Sequence, residues 1–273
     1  MTPAVELREA DAAASALLDP FDEQTRFDVS SGARRLYALR TTPDGAAAGS
    51  AVLGAGALDL FIDQELRARG LGAEAAAQLL DRAAPGPLTA WSHEDHPAAR
   101  ALAARFGFAA VRTLLHLRLD VLDGFDAAPF ETFRPGADDA EWLALNARVF
   151  AWHPEQGGVT ASGLAERMSE PWFRADDFLI ARAGSGRMTG YCWLKVEEAA
   201  GPRTGEIYVL GVAPEASAQG LGRALTRAGL ARLRERGCAS AELYVEAGNT
   251  PAVRLYRSLG FADAAVHVQY ARP

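Results

Sequence analysis

The C-terminal third of the chain is punctuated by short apolar runs of strand length. "DDFLIARA", "MTGYCWLKVEE", "GEIYVLGVA", "SAELYVEA" and "AAVHVQYA" are rich in β-branched and aromatic residues and predict strands. Between Gly220 and Gly237 the spacing changes. Leu221, Leu225, Ala228 and Leu233 fall near a helical period, with Gly237 as the stop. A second helix is predicted from Asn249-Thr250-Pro251 to Gly260, with Thr250 as N-cap and Pro251 at the first helical position. "AEWLALNARVF" upstream also reads as helical. Strands and helices in this order predict an α+β domain with a mixed sheet.

The pattern occurs twice. "RARGLGAEAAAQLLDRA" begins at Arg67 and "SAQGLGRALTRAGLARLRERG" at Ser217, so that Gly70 matches Gly220, 150 residues on. Downstream, "ALAARFGFAAV" holds Gly107-Phe108 and "RLYRSLGFADA" holds Gly260-Phe261, 153 residues on. A strand-like run precedes each glycine loop, "ALDLFID" in the first half and "EIYVLGVAP" in the second. Two domains are expected, 1–122 and 132–273, joined by a linker at 123–131 where Pro, Gly and Asp accumulate.

Composition narrows the function. Of 273 residues 49% are apolar, enough for sizeable cores, and the net charge of −7 argues against a nucleic-acid binder. Cys192 and Cys238 lack metal-ligand spacing and read as buried free thiols, so no metal is expected. The N-terminus has neither a basic nor an apolar leader region, and no window approaches ~20 uninterrupted apolar residues, which points to a cytoplasmic protein.

A strand, a "QGLGR" loop and a helix place unpaired backbone N–H groups at the positive end of a helix dipole, where a pyrophosphate can sit. Gly220 and Gly222 have no Cβ to hold such a ligand away. The loops contain neither G-x-G-x-x-G nor a Walker Gly-Lys-Ser/Thr. On this feature alone a simple turn between strand and helix remains the alternative.

"RARGLG" at 67–72 and "NTPAVRLYRSLGF" at 249–261 resemble the motifs of the GNAT acetyltransferases. "SAQGLG" at 217–222 departs from them at Ser217, where Arg or Gln is usual. The resemblance implies two tandem GNAT domains, each a mixed twisted sheet flanked by helices, with acetyl-CoA as co-substrate. Its cofactor contacts would fall on Leu60, Phe61, Ile62, Ala68, Arg69, Gly70, Leu71, Gly72 and Ala73 in the first half. In the second half they would fall on Leu210, Gly211, Val212, Ser217, Ala218, Gln219, Gly220, Leu221, Gly222 and Arg223, and on Asn249, Thr250, Pro251, Ala252, Val253 and Arg254.

Acetyl transfer to an amine needs a base, a polarised thioester carbonyl and a proton for the departing thiolate. Glu206 is the expected base and Tyr256 the expected acid, with backbone N–H groups around Leu210–Val212 at the carbonyl. In the first half Tyr256 falls on Ala103, Asn249 on His96 and Glu206 on Gly56, so that half keeps the cofactor loop and loses the chemistry.

Over nearly the whole chain the sequence resembles tandem GNAT enzymes whose acceptor is a cysteine–glucosamine–inositol pseudodisaccharide. Glu23, Glu155, Lys195, Glu206 and Tyr244 would hold that acceptor, and "AWHPEQGG" at 151–158 would be its loop. From the residues alone that stretch reads rather as a surface turn between two helices. The alternatives are a GNAT enzyme for another amine, such as an amino sugar or a protein amine, and a non-catalytic acyl-CoA-binding module. Internal pairing of the repeats would leave the protein a monomer that binds neither nucleic acid nor membrane.

Overall fold

The computed structural model describes residues 4–42, 44–126, 129–153, 156–197 and 201–273, those of Glu23 and Ala218 without their side chains. The chain divides into two compact units, 1–114 with 265–273, and 115–264. Against the expected 1–122 and 132–273, this division puts the last nine residues with the first unit and 115–122 with the second.

The first unit contains β1 (Ala4–Ala10), α1 (Glu23–Ser30), β2 (Arg35–Thr42), β3 (Ala47–Gly54), β4 (Ala57–Ile62), α2 (Leu71–Arg82), β5 (Leu88–Ser92), α3 (Pro97–Arg105) and the start of β6 (Ala109–Leu119). Strands β1 to β4 pair antiparallel in order, and β5 follows β4 in parallel, meeting it at Ala57↔Thr89. Beyond β5 the strand partner is the C-terminal run, with Val268 opposite Ser92 and Arg272 opposite Leu88. Helix α2 buries Leu71, Ala75, Ala76 and Leu79 at helical spacing against a core that includes Leu39, Ala51 and Leu58.

The second unit contains the end of β6, then β7 (Glu131–Thr132), α4 (Asp139–Val149), α5 (Ala161–Ser169), β8 (Phe178–Arg182), β9 (Met188–Lys195), β10 (Arg203–Val212), α6 (Leu221–Glu235), β11 (Cys238–Glu246), α7 (Thr250–Ser258) and the start of β12 (Ala262–Arg272). Its strand order is β7-β8-β9-β10-β11 and then β6. All five strand segments, both helices and the α4 segment read from the sequence are present. The cap of α7 differs, since Asn249 rather than Thr250 takes the N-cap position and its Oδ1 accepts from Ala252 N–H at 3.3 Å. The Asn side chain in front of Thr-Pro reaches the amide of the third helical residue, while Thr250 is already helical.

Two cores cover the two faces of this sheet. One lies under α6 and α7 and includes Cys192, Leu194, Ile207, Leu225, Ala241, Leu243 and Tyr256. The other lies under α4 and α5 and gathers Trp142, Trp172, Phe178, Tyr191 and Trp193. Stacked and T-shaped ring pairs, with Phe178–Trp193 centroids 4.5 Å apart, make that second core rigid. Cys192 and Cys238 are buried free thiols, and burial pushes the Cys192 thiol up to about 12.

Candidate active site

Both glycine loops end in the geometry that anion binding needs. Gly70 and Gly220 are the N-caps of α2 and α6 in left-handed conformation (φ 85° and 75°), and neither helix has a side-chain cap. Their first amides are therefore left to a ligand. A Cβ on Gly72 would touch Ile62 and Leu102, and one on Gly222 would touch Val212 and Leu255. The same neighbours, 150 and 153 residues apart, surround both loops, so the repeat seen in the sequence is a repeat in space. Leu71 buries its side chain in the core, which leaves only its backbone for a ligand. At the divergent position Ser217 donates to the carbonyl of Pro214 at 2.8 Å, holding its own loop. Its counterpart Arg67 donates instead to the carbonyl of Ile62 at 3.0 Å and lies over the Phe61 ring.

In the first unit the loop opens into a cavity of about 640 Å³ bounded by β4, β5, α2 and α3. Every cofactor residue expected in that half except Arg69 lines it. The space exists because β4 and β5, parallel neighbours, pair only at Ala57↔Thr89 and diverge from there. In the second unit the parallel ladder of β10 and β11 likewise stops at Glu206↔Glu242. From Ile207 to Val212 strand β10 pairs with β9, with a register shift at Tyr208. Such a bulge re-aims the backbone where strands part.

That parting point carries the polar side chains. Ala241, Leu243 and Val245 of β11 face one core, so Glu242, Tyr244 and Glu246 take the other face. Leu117 and Leu119 of β6 do the same for His116, and Cys192 and Leu194 of β9 for Lys195. A Cβ on Gly205 would strike Leu233, which puts neighbouring Glu206 on that face too. Glu206 is paired across the sheet with Lys195 on one side and Glu242 on the other.

Lys195 Nζ lies 3.0 Å from Glu197 and 5.2 Å from the Trp172 ring. His116 Nε2 donates to Glu242 at 3.0 Å, and its ring stacks on Tyr244 with centroids 4.7 Å apart. Burial first, then the Glu242 and Glu206 carboxylates, push the Tyr244 phenol up to about 12, so it is a donor at neutral pH. Tyr208, also here, accepts from Arg167 at 3.1 Å. Tyr256 lies on α7, buried against Phe261, and burial raises its phenol well above the ordinary value. It holds its proton across the neutral range.

The 151–158 loop is fastened to this face. His153 Nδ1 accepts from Gln156 N–H at 3.1 Å, so its proton is on Nε2, which faces Glu246 at 3.8 Å. Asn146 of α4 donates to the Gln156 carbonyl and accepts from the Tyr191 hydroxyl at 2.7 Å. A Cβ on Gly157 would collide with the carbonyl of Phe150, so only glycine lets the loop close there. Trp152 projects into solvent beside His153, with ring centroids 5.4 Å apart.

Of the expected acceptor residues, Lys195, Glu206 and Tyr244 share one face, Glu155 lies outside the described residues, and Glu23 opens α1 in the first unit with its side chain undescribed. Val253 points into the core. Sequence reading missed His116, Glu242, Glu246, Asn146 and His153. The alternation of apolar residues in "AELYVEA" does place Glu242, Tyr244 and Glu246 on one face, a signal present in the chain.

A model described as the acetyltransferase (GNAT) family matches residues 143–261. The chain is 44% identical over 270 residues to a mycothiol acetyltransferase of Salinispora arenicola, covering 93% of this chain and 87% of that protein. It is 48% identical over 238 residues to a mycothiol acetyltransferase of Sanguibacter keddieii, covering 81% and 75%. Among solved structures, a GCN5-related N-acetyltransferase from Sphaerobacter thermophilus aligns with TM-score 0.72 at 21% identity, over 98% of this chain and 95% of that one. A tandem GNAT protein from the clavulanic acid biosynthesis pathway aligns with TM-score 0.68 at 17% identity, over 98% of each. Those two likenesses speak for the fold, and the sequence identities for the family: the chain belongs to the mycothiol acetyltransferases and is an acetyl-CoA-dependent N-acetyltransferase of tandem GNAT fold.

Proposed function

We propose that the second unit transfers acetyl from acetyl-CoA to the cysteinyl amine of a cysteine–glucosamine–inositol acceptor, the last step of mycothiol formation, in a single ternary complex. The observation that carries this is the polar face across β6, β9, β10 and β11. Three carboxylates, Glu206, Glu242 and Glu246, share it with the phenol of Tyr244 and the cationic Lys195. An acceptor bearing an ammonium and many hydroxyls donates to carboxylates and accepts from the phenol and ammonium.

Acetyl-CoA supplies the activated thioester carbonyl. The α6 amides at Gly220–Arg223 would hold its pyrophosphate, and β10 from Leu210 to Val212 its pantetheine arm, in the gap where β10 and β11 part. The α7 start, Asn249 to Arg254, is read as contacting the cofactor's reactive end. Glu206 takes the proton of the attacking amine, whose ordinary pKa near 8 puts it within reach of a carboxylate acting directly or through water. Tyr256 delivers its proton to the departing sulfur. As the N–C bond forms and the C–S bond breaks, both protons are thus accounted for by this chain's own side chains.

The first unit is read as a second acetyl-CoA site that does not turn over. Its cavity and uncapped α2 suit the cofactor, while Ala103 and Gly56 stand where Tyr256 and Glu206 stand. Glu23 and Glu155 are read as further acceptor contacts, and the protein as a cytoplasmic monomer without a metal.

The test is mass spectrometry of the acceptor after incubation with acetyl-CoA, because its own thiol confuses colorimetric detection of CoA. One acetyl on nitrogen is expected. No product with acetyl-CoA still bound would send the search to another amine acceptor, and no binding at all would end the transferase reading for this site.

A further inference from the structure

The cavity of the first unit reaches further than an acetyl group needs. It begins at Gly70 and runs along α2 to Leu80, roughly 15 Å at 1.5 Å per residue, about the reach of a pantetheine arm. Its wall includes the apolar side chains of Leu58, Ala76, Leu80, Ala90, Ala103 and Phe106. Helices α3 and α7 correspond residue for residue, Pro97–Arg105 to Thr250–Ser258, so Ala103 occupies the place of Tyr256. In the second unit a buried phenol fills that place, whereas in the first the methyl group of Ala103 stands there and lines the cavity. The replacement removes the proton donor and puts a small apolar side chain on the cavity wall in one step.

We infer that the first unit is a binding site for a short-chain acyl-CoA longer than acetyl, butyryl to hexanoyl, whose acyl chain lies in the cavity beside Ala103 and which is held without transfer. This deepens, and rests on, the reading of that unit as a coenzyme A site. Apolar surface that takes a methylene out of water rewards each one added until the space is full. With neither a phenol at 103 nor a carboxylate at 56, the thioester of such a ligand meets no acid or base from these positions.

Calorimetric titration of the full chain with acetyl-CoA and then butyryl-CoA tests this. Two molecules per chain are expected, with one site tightening about fourfold per buried methylene (~0.8 kcal/mol) and the other not. Ala103→Phe should cancel that gain, and Ala103→Leu should reduce it, while the acetyl-CoA affinity of the other site and the melting temperature report that the chain is folded. Two sites with no preference for the longer chain, or a preference that survives both substitutions, would overturn the inference alone. One coenzyme per chain would overturn it together with the reading of the first unit on which it rests.

Discussion

The Tyr191 hydroxyl donates to Asn146 Oδ1 at 2.7 Å, with both side chains almost wholly out of water. Asn146 spends its amide on the Gln156 carbonyl, so one buried pair connects β9 to the loop that also carries His153. Tyr191→Phe would leave the Asn146 oxygen buried without its donor, a cost of about 1–3 kcal/mol. The expected result is a lower urea midpoint and a raised KM for the acceptor, with kcat and the KM for acetyl-CoA little changed. Steady-state kinetics with each substrate varied separately checks this, and an unchanged acceptor KM would detach the loop from acceptor binding.

Gly211 faces the same tyrosine from β10. A Cβ there would drive into the Tyr191 ring, and the ring, packed on Trp142 and Phe178, has nowhere to go. Gly211→Ala should cost about 1–3 kcal/mol, the usual penalty for overpacking a filled core. Because Gly211 lies on the strand read as holding the pantetheine, the KM for acetyl-CoA should rise as well. Paired denaturation and binding measurements check it; full stability in the variant would mean the strand yields more easily than its neighbours suggest.

What the sequence made legible is the part encoded locally and twice. Helix α3 and helix α7, and the glycine loops before α2 and α6, repeat in order and spacing, so the fold, both loops and the Tyr256/Ala103 contrast could be read without coordinates. The exchange of terminal strands could not. A strand's period reports which face is buried and not which strand lies beside it, so 265–273 looks the same whichever unit it completes. The polar network stayed hidden for a related reason. Tyr191 and Asn146 lie in segments patterned as core, and only tertiary contact shows that the two bond one another. His116, on β6, meets Glu242 across 126 residues of sequence.

Acid should destabilise the second unit through a definite cluster. Arg134, by hydrogen bonding, and then Arg182 hold the Asp138 carboxyl below the usual carboxylate range. The Met188 amide and then Arg182 do the same for Glu141. Groups whose pKa is lower folded than unfolded bind fewer protons in the native state. Their stabilisation is complete above the unfolded value near 4 and is lost as pH falls through the folded values. Urea midpoints measured downward from pH 5 should therefore fall, and Asp138→Asn should lower the midpoint at pH 7 while flattening that decline. An equally steep decline in the variant would place the acid sensitivity elsewhere.

Glu206 and Tyr256 separate the two proton transfers, and their variants should fail differently. Tyr256 is buried and its phenol is raised above its ordinary value, so it stays a donor and imposes no loss of rate up to pH 9. Tyr256→Phe keeps the ring that packs on Phe261 and removes only the proton, so the fold and the KM for acetyl-CoA should survive. The rate constant kcat should fall about 10²–10⁴-fold, the range of a lost general acid. Glu206→Gln should also lower kcat, but this loss should shrink as pH rises toward the amine's own pKa near 8, where the acceptor needs less help in shedding its proton. A pH series of kcat for wild type and both variants distinguishes these roles. A Tyr256→Phe enzyme at full speed, or a Glu206→Gln deficit that grows with pH, would remove the corresponding residue from the reaction.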